Sequence, residues 1–416
     1  MIEQADIVRS GPIAVADGHQ DDLLLRYRRR LAEAVAHVLP RLTQRADAEA
    51  AAVVESALAL YTDLPGGARE NIVHHPYFSS WWTRVRAAFA AGDASELARL
   101  LPQFGRFVLV PAMKEGIADG VTLTLPTDDQ GELRFPGHPC HVALGVPAWT
   151  PVRVQARNGE LDLTVGSDTT IVAADRLLAA APETGDPVLV RRATIGGGVE
   201  LDGSDPAVLR FFANQRARAA IPGYPPRDLM PYGPIPAATV RHFEQALADI
   251  DTFCPAFGAE LRSYVRVVVP VASNLLSTFT DTGFFGAIFM SEHLAPFSDR
   301  LVTAEHLLHE ASHLRLTLIL EHEPVFASEP DVLVESPWRR DARPLHQILH
   351  GTFVFARIAQ LLAGALKRGA GPEYARRHEE VLGDLRRGLA TLTGEGAEFT
   401  PAGRDLLDRF AALAHD

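Results

Sequence analysis

The sequence predicts an α+β protein, and three observations lead to that prediction. Apolar residues recur at helical spacing from about residue 21 to residue 101. Between about residues 107 and 199, short runs alternate with a period near two and are separated by turn clusters, as in an antiparallel sheet. After Pro206 long helical patterns return, and one of them carries clustered histidines. We therefore expect a helical N-terminal region at 1–104, an antiparallel β region at 105–204 and a mainly helical catalytic region at 205–416.

The composition is that of an ordinary soluble protein, with 47% hydrophobic and 22% charged residues among 416. A formal net charge of −12 without a basic concentration argues against a nucleic-acid partner, because phosphate binding needs a positive field. No apolar run is long enough to span a bilayer, and the first residues lack the pattern of a signal peptide. Cys140 and Cys254 are the only cysteines, which argues against a disulfide framework. We therefore expect a cytoplasmic protein that binds neither nucleic acid nor membrane.

The N-terminal region predicts a series of helices. Apolar residues from Leu23 to Leu39 follow the 3.6-residue period, and Pro40 marks an end or a kink. A second helix is predicted from about Ala46 to Leu60. His74 and His75 are expected in a loop before a helix that starts at Pro76, since adjacent residues on a helix point in different directions.

The central region predicts short strands. They are expected at Phe107–Val110, Val121–Leu125, Val152–Gln155 and Leu161–Val165. The run Gly196-Gly197-Gly198 lacks the GxGxxG spacing and the following helix of a dinucleotide site. It is therefore expected to form a turn between strands.

The C-terminal region predicts helices and two further strands. The helices are expected at about 207–219, 237–253, 256–264, 299–323, 345–367, 372–393 and 401–415. Runs rich in valine and phenylalanine at 266–271 and 283–290 predict strands. A proline-dense stretch from Pro222 to Pro236 predicts an ordered connector.

The helix predicted from Asp299 to Glu323 contains the HExxH element His309-Glu310-Ala311-Ser312-His313. Residues at i and i+4 lie on one face of a helix, so both imidazoles can reach a single metal ion, as in a zincin-like helix. Glu310 would lie beside that ion, where a peptidase uses it as general base. The alternative is that His309 and His313 are hydrogen-bonded core histidines without a metal.

Three segments together resemble a known family: AEHLLHEASH at 304–313, SPWRRDARP at 336–344 and LHGTFVF at 349–355. They are similar to the HExxH-motif peptide-modification proteins of bacterial peptide natural-product clusters, which are assigned as iron-using, α-ketoglutarate-dependent peptide β-hydroxylases. The resemblance is specific from Ala304 to Phe355 and diffuse elsewhere. It implies iron(II) as cofactor, 2-oxoglutarate as co-substrate and a peptide, with or without a leader segment, as substrate.

The resemblance also implies His350, on the LHG element, as the third metal ligand. His346 lies one turn earlier, and Glu335 would complete the two-histidine-one-carboxylate set usual for non-haem iron, so both stay open as alternatives. A 2-oxoglutarate site needs a cation for the far carboxylate of the co-substrate, and Arg339 and Arg343 are expected to supply it through bidentate contacts. These arginines could instead pair with surface acids.

Two enzyme classes fit the predicted site. The favoured function is iron(II)/2-oxoglutarate-dependent hydroxylation of a peptide at Cβ, in which Glu310 orients a ligand or the co-substrate. The alternative is a zinc metallopeptidase in which Glu310 activates water. A strand edge beside the helix would let an extended peptide add itself as a further strand. A third hypothesis is a binding module with a structural metal. Structural zinc sites are usually rich in cysteine, and no cysteine lies near the histidines in the sequence, which argues against this hypothesis.

Overall fold

The computed structural model describes residues 22–44, 48–138, 140–178, 189–218, 230–231, 235–273, 277–294, 296–394 and 397–415. Within these ranges the chain is a mixed α+β protein with antiparallel sheets and a C-terminal helical region. The helices are α1 (Asp22–Thr43), α2 (Ala48–Asp63), α3 (Gly66–Val73), α4 (Pro76–Ala91), α5 (Ala94–Leu100), α6 (Gly105–Lys114), α7 (Ala174–Leu178), α8 (Pro206–Arg218), α9 (Ala237–Phe253), α10 (Pro255–Tyr264), α11 (Arg300–His322), α12 (Leu345–Lys367), α13 (Pro372–Leu392) and α14 (Pro401–His415).

The strands form four sheets. They are β1 (Thr122–Pro126), β2 (Glu132–Arg134), β3 (Cys140–Ala143), β4 (Pro151–Arg157), β5 (Glu160–Val165), β6 (Asp168–Ala173), β7 (Leu189–Arg191), β8 (Ala193–Ile195), β9 (Val199–Leu201), β10 (Met230–Pro231), β11 (Val267–Ala272), β12 (Thr278–Phe279), β13 (Ala287–Ser291), β14 (Leu333–Val334) and β15 (Arg343–Pro344). The sheet orders are β1-β4-β5-β6, β2-β3-β7, β14-β15 and β12-β13-β11-β9-β8, with β10 beside β11 in the last.

The six-stranded sheet separates two hydrophobic cores. The N-terminal core contains helix side chains such as Phe78 and Phe104, and the C-terminal core contains Leu307 and Ile348. Side chains of β11 and β13 alternate between the two cores, as the period of two requires: Val267, Val269, Ala287 and Phe289 enter the first, and Val268, Ile288 and Met290 enter the second. Because both faces are covered, β11 is apolar along its whole length and β13 is apolar up to its last residue, Ser291.

Most predicted elements are confirmed. Helix α11 starts after Asp299, whose Oδ1 accepts the Val302 N–H at 3.1 Å, and ends before Glu323. The strands predicted at 121–125, 152–155 and 161–165 are β1, β4 and β5 of an antiparallel sheet. The three glycines at 196–198 form the turn between β8 and β9, each with positive φ.

Two local predictions are wrong. Phe107–Val110 is part of helix α6, and all four side chains are buried. A short, fully apolar run cannot by its periodicity distinguish a buried helix from a buried strand. Residues 283–286 are also not strand: Thr282–Phe284 form a 3₁₀ turn, and β13 begins only at Ala287.

The sheet pairing also extends across residue 204, where the sequence suggested a regional boundary. Strand β9, from the central region, pairs in parallel with β11. Strand β11 also pairs in parallel with β13. Of the proline-dense stretch from Pro222 to Pro236, Met230 and Pro231 form β10, and residues 222–229 and 232–234 lie outside the described residues.

Helix α12 is long and apolar enough by composition to cross a membrane, and 67% of its most apolar window is buried inside the protein. That pattern is consistent with the core helix of a soluble protein. Cys140 is buried, Cys254 is half-buried, and neither forms a disulfide.

Candidate metal site

Helix α11 brings two imidazoles of the HExxH element together. The Nε2 atoms of His309 and His313 are 3.1 Å apart. For metal–nitrogen bonds of about 2.1 Å, two ligands at a right angle lie about 3.0 Å apart and two at a tetrahedral angle about 3.4 Å. The separation therefore fits two ligands of one ion.

His350 reaches this pair from helix α12. Its Nδ1 lies 3.2 Å from the Nδ1 of His313, and the two rings are nearly parallel with centroids 5.4 Å apart. The contact uses the Nδ1 atom of His313, whereas its Nε2 atom faces His309. One imidazole binds an ion through one nitrogen, so in this arrangement His350 orients His313, whereas a rotated His313 ring would let His350 be a ligand. The third-ligand role of His350 stays a prediction.

Glu310 lies beside the two histidines and is only 2% exposed. The hydroxyl of Thr278, on β12, donates to Oε1 at 2.5 Å, and that oxygen is 3.9 Å from His309 Nε2. Burial raises the pKa of Glu310 to about 7, although the hydroxyls of Thr278 and Thr280 act in the opposite direction. One ligand atom each from His309, Glu310 and His313 lies within 4.8 Å of the others, so the group could hold a metal ion.

The imidazoles are suited to metal binding because they are neutral. Burial and the neighbouring imidazoles lower the pKa of His313 well below its usual value. Burial also lowers the pKa of His350 to about 4. The His309 side chain remains 32% exposed toward the adjoining cleft. Neutral rings offer lone pairs to an ion, and the exposed side of His309 leaves it accessible.

The histidines open into a cleft of about 470 Å³. Its wall includes His309, His313, His350 and both predicted anchors, Arg339 and Arg343. Arg339 is exposed, and its backbone N–H donates to Ser336 Oγ at 3.2 Å.

Arg343 already has neighbours within the cleft wall. Its guanidinium lies 2.6 Å from the Asp341 carboxylate and 3.4 Å from Gln347 Oε1. The cleft therefore brings together five of the six predicted site residues, all except Glu310, while Arg343 also makes the surface ion pair that was its alternative role.

Trp338 fixes the segment that carries these arginines. Its indole N–H donates to the carbonyl of Asp384 at 3.2 Å. A Cβ at Gly351 would lie 2.5 Å from Trp338 Cζ3, and one at Gly388 would lie 2.7 Å from Trp338 Cζ2. The indole thus occupies space that only glycine leaves free, next to His350.

A buried polar network joins the two histidine-bearing helices behind the site. Arg357 of α12 donates from Nε to Ser312 Oγ of α11 at 2.8 Å and forms an ion pair with Glu260 of α10. Arg315 of α11 also contacts Glu260, at 3.2 Å. Because Arg357 and the Glu260 carboxylate are fully buried, this network sets the spacing between α11 and α12.

The two alternative ligands lie differently. Glu335 is exposed and is not among the residues that line the cleft. His346 lines the cleft, but its Nδ1 lies 3.0 Å from Asp331 Oδ1 and 3.3 Å from the carbonyl of Pro330. The structure therefore brings His346, and not Glu335, to the cavity of the histidines.

Sequence reasoning missed Thr278, Trp338 and Arg357. Arg357 did leave a signal, since a cation within the apolar run of α12 requires a buried partner. Thr278 and Trp338 left none, because their partners are distant in the chain.

No protein-family model matches the chain, and no curated protein matches it.

Proposed function

We propose that this protein is an iron(II)- and 2-oxoglutarate-dependent hydroxylase acting on the Cβ of a residue in a ribosomally made peptide. The observation that carries the proposal is the shared cleft, in which His309 and His313 lie on the same wall as Arg339 and Arg343. A guanidinium binds a carboxylate through two parallel hydrogen bonds, which is what the far end of 2-oxoglutarate requires. Zinc hydrolysis has no such requirement.

The donor set is compatible with ferrous iron. His309, His313 and Glu310 together are two histidines and one carboxylate, the composition usual for non-haem iron oxygenases. His350 would either replace Glu310 in that set or hold His313 in position. When bound, the iron supplies the activation of dioxygen, while the chain holds the reactants.

The chain's own groups have separate tasks in this proposal. Arg339, which is exposed in the cleft, holds the far carboxylate of 2-oxoglutarate, while Arg343 shares its charge with Asp341. Trp338 and Phe355 form apolar wall that excludes water. Thr278 fixes the Glu310 carboxylate, whichever role that group has.

A peptide substrate suits the sheet edge. Strand β12 is the end strand of the six-stranded sheet, and within the described residues it pairs with β13 alone. Its Thr278 contacts Glu310, so an extended peptide added to that edge would pass beside the histidines. Two cysteines that form no disulfide suit a reducing cytoplasm, which we propose as the compartment.

A zinc metallopeptidase is the second candidate, and one observation favours it. The Glu310 carboxylate lies 3.9 Å from His309 Nε2, on the side where a metal-bound water would need a base. The same edge strand would then hold the peptide to be cleaved.

Reconstitution separates the two candidates. With iron(II), 2-oxoglutarate, dioxygen and a peptide encoded beside the protein's gene, we expect succinate release and a peptide heavier by one oxygen atom with an intact backbone. Backbone cleavage with zinc in the absence of 2-oxoglutarate would decide for the peptidase.

A matched pair of variants tests the cleft arginine. Arg339→Gln should raise the KM for 2-oxoglutarate about tenfold or more, since a charge-assisted bidentate contact contributes about 1.5–3 kcal/mol. Arg368→Gln, an exposed arginine at the end of α12, should leave it unchanged. Equal KM values for both variants would remove Arg339 from the proposed site.

A further inference from the structure

A second cavity, of about 280 Å³, lies on the N-terminal side of the molecule. Helices α3 and α6, the turn at 136–138 and Arg266, just before β11, form its wall. The N-terminal helices, the three-stranded antiparallel sheet and the six-stranded sheet all meet there. Junctions of this kind are frequent places for small-molecule binding, and the volume suits a small ligand.

Two cations face each other at this cavity. Lys114 and Arg266 both line it, and neither forms an ion pair within the described residues. Burial and the nearby Arg266 charge lower the pKa of Lys114. Lys114 is exposed at the mouth of the cavity, and Arg266 is half-buried. Two like charges beside the apolar side chains of Phe107 and Pro136 are stabilised by an anion between them.

The nearest buried acid does not fill that role. Glu200 attracts Arg266, but both its oxygens are already engaged. Oε2 accepts from Arg192 at 2.8 Å, and Oε1 accepts from the Gly137 N–H at 3.0 Å and lies 3.2 Å from His75 Nε2. Glu115 also lines the cavity and is exposed at its rim, as Lys114 is, but within the described residues it forms no ion pair with Lys114 or Arg266.

A third polar group lies deeper in the wall. His138 is 5% exposed and lines the cavity, and its Nδ1 has no hydrogen-bond partner within the described structure. A buried ring nitrogen without a partner is costly unless a ligand or a water compensates for it.

The choice of lysine is also unusual for this chain. Of its 40 lysines and arginines, only Lys114 and Lys367 are lysine. One of the two therefore lines this cavity.

We infer that this cavity binds a small oxyanion, a carboxylate or a phosphate carried on a short apolar group, between Lys114 and Arg266. His138 forms the polar part of the floor, and Phe107 and Pro136 contact the apolar group.

The cavity is distinct from the metal cleft. Arg266 lies just before the end of the sheet at which Val267 pairs with Ala287. Thr278 pairs with Met290 toward the other end of β13, and it is Thr278 that contacts Glu310 beside the histidines.

The two lysines allow a direct test on the full-length protein, with and without iron. Acetylation by limiting acetic anhydride is followed at Lys114 and Lys367 by mass spectrometry, in the presence of millimolar inorganic phosphate or millimolar propionate. A ligand at ten times its dissociation constant should slow acetylation of Lys114 about tenfold, because only the free fraction reacts. Lys367, exposed at the end of α12, is the internal reference and should keep its rate.

Protection at Lys114 by phosphate alone assigns a phosphate site, and protection by propionate alone assigns a carboxylate site. Absence of protection by both, or equal slowing at Lys367, would overturn the inference. Arg266→Gln should weaken the protecting anion about tenfold or more, because a charge-assisted contact is lost. Arg153→Gln, an exposed arginine on β4, is the matched control. Undiminished protection in a folded Arg266→Gln protein would likewise overturn it, and the wild-type rates decide the question if that variant does not fold.

Discussion

The two faces of the six-stranded sheet carry two histidine-containing clusters of opposite character. On the N-terminal face, Arg192 donates to Glu200 at 2.8 Å and to the carbonyls of Phe135 and His138 at 3.0 and 3.1 Å. On the C-terminal face, the ring nitrogens of His313 meet two further imidazoles, at 3.1 and 3.2 Å.

The two clusters differ in how their buried polar groups are paired. In the Glu200 cluster, cations meet anions and carbonyls, and Tyr77 adds a hydrogen bond to Asp202 at 3.1 Å. In the His313 cluster, three imidazoles face one another, and the Glu310 carboxylate lies beside them at 3.9 Å from His309 Nε2 without forming a hydrogen bond to a ring. A self-compensated buried network stabilises the fold, whereas a set of converging lone pairs is completed by an ion. The first cluster is therefore expected to affect folding and the second to affect binding.

The largest effect should come from breaking the compensated cluster. Arg192→Met leaves Glu200 and Asp202 buried without their main cation, and loss of one partner of a buried ion pair costs about 3–5 kcal/mol. Urea unfolding of the metal-free protein would measure the change. Arg153→Gln, at an exposed position of β4, should change it by less than about 0.5 kcal/mol. A near-neutral Arg192→Met would show that the cluster does not support the fold.

The second effect should appear only when metal is added. Iron(II) or zinc at a hundred times its dissociation constant should stabilise the wild-type protein by about 2.7 kcal/mol, because the ion binds only the folded state. His313→Ala should lose this increment and the bound metal together. His415→Ala, an exposed histidine at the end of α14, is the control. An undiminished increment in His313→Ala would place the ion elsewhere.

The same contrast shows what sequence can predict here. The spacing of His309 and His313 is local, so the convergence of their rings followed from the helix alone. The contact between Thr278 and Glu310 spans 32 positions, and it depends on how β12 joins the sheet. The parallel pairing of β9 with β11 could not be predicted from the sequence either, because the pairing partners of buried strands are set by tertiary packing. Local periodicity thus placed the histidines, while the groups that orient them required the fold.

A smaller effect should follow from moving Trp338. Gly351→Ala places a methyl group 2.5 Å from the indole, and overpacking of this kind costs about 1–3 kcal/mol. Because Trp338 is followed by Arg339, the KM for 2-oxoglutarate should rise while metal content stays the same. Gly369→Ala, beyond the end of α12, is the control for the added methyl group, because nothing lies within 4 Å of that position. Gly369 has a positive φ, so alanine there strains the backbone, and the two variants are compared by KM rather than by stability. An unchanged KM in Gly351→Ala would separate the indole from the co-substrate site.

The last effect is absent at neutral pH, grows as the solution is acidified, and concerns the N-terminal face. Burial lowers the pKa of His138 to about 3, and the charges of Lys114, Arg192 and His75 act in the same direction against the attraction of Glu200. The unfolded chain binds a proton at this residue below about pH 6.5, while the folded protein does not, so stability falls as the pH drops from about 6.5 toward 3. The slope is about 1.4 kcal/mol for each pH unit from this one group.

His138→Asn removes the titration, so its unfolding free energy should depend less on pH over that window than that of the wild type. His415→Asn, exposed at the end of α14, should keep the wild-type slope. Parallel curves for wild type and His138→Asn would mean that His138 is protonated in the folded state, and that its ring is compensated in the cavity even without an added anion.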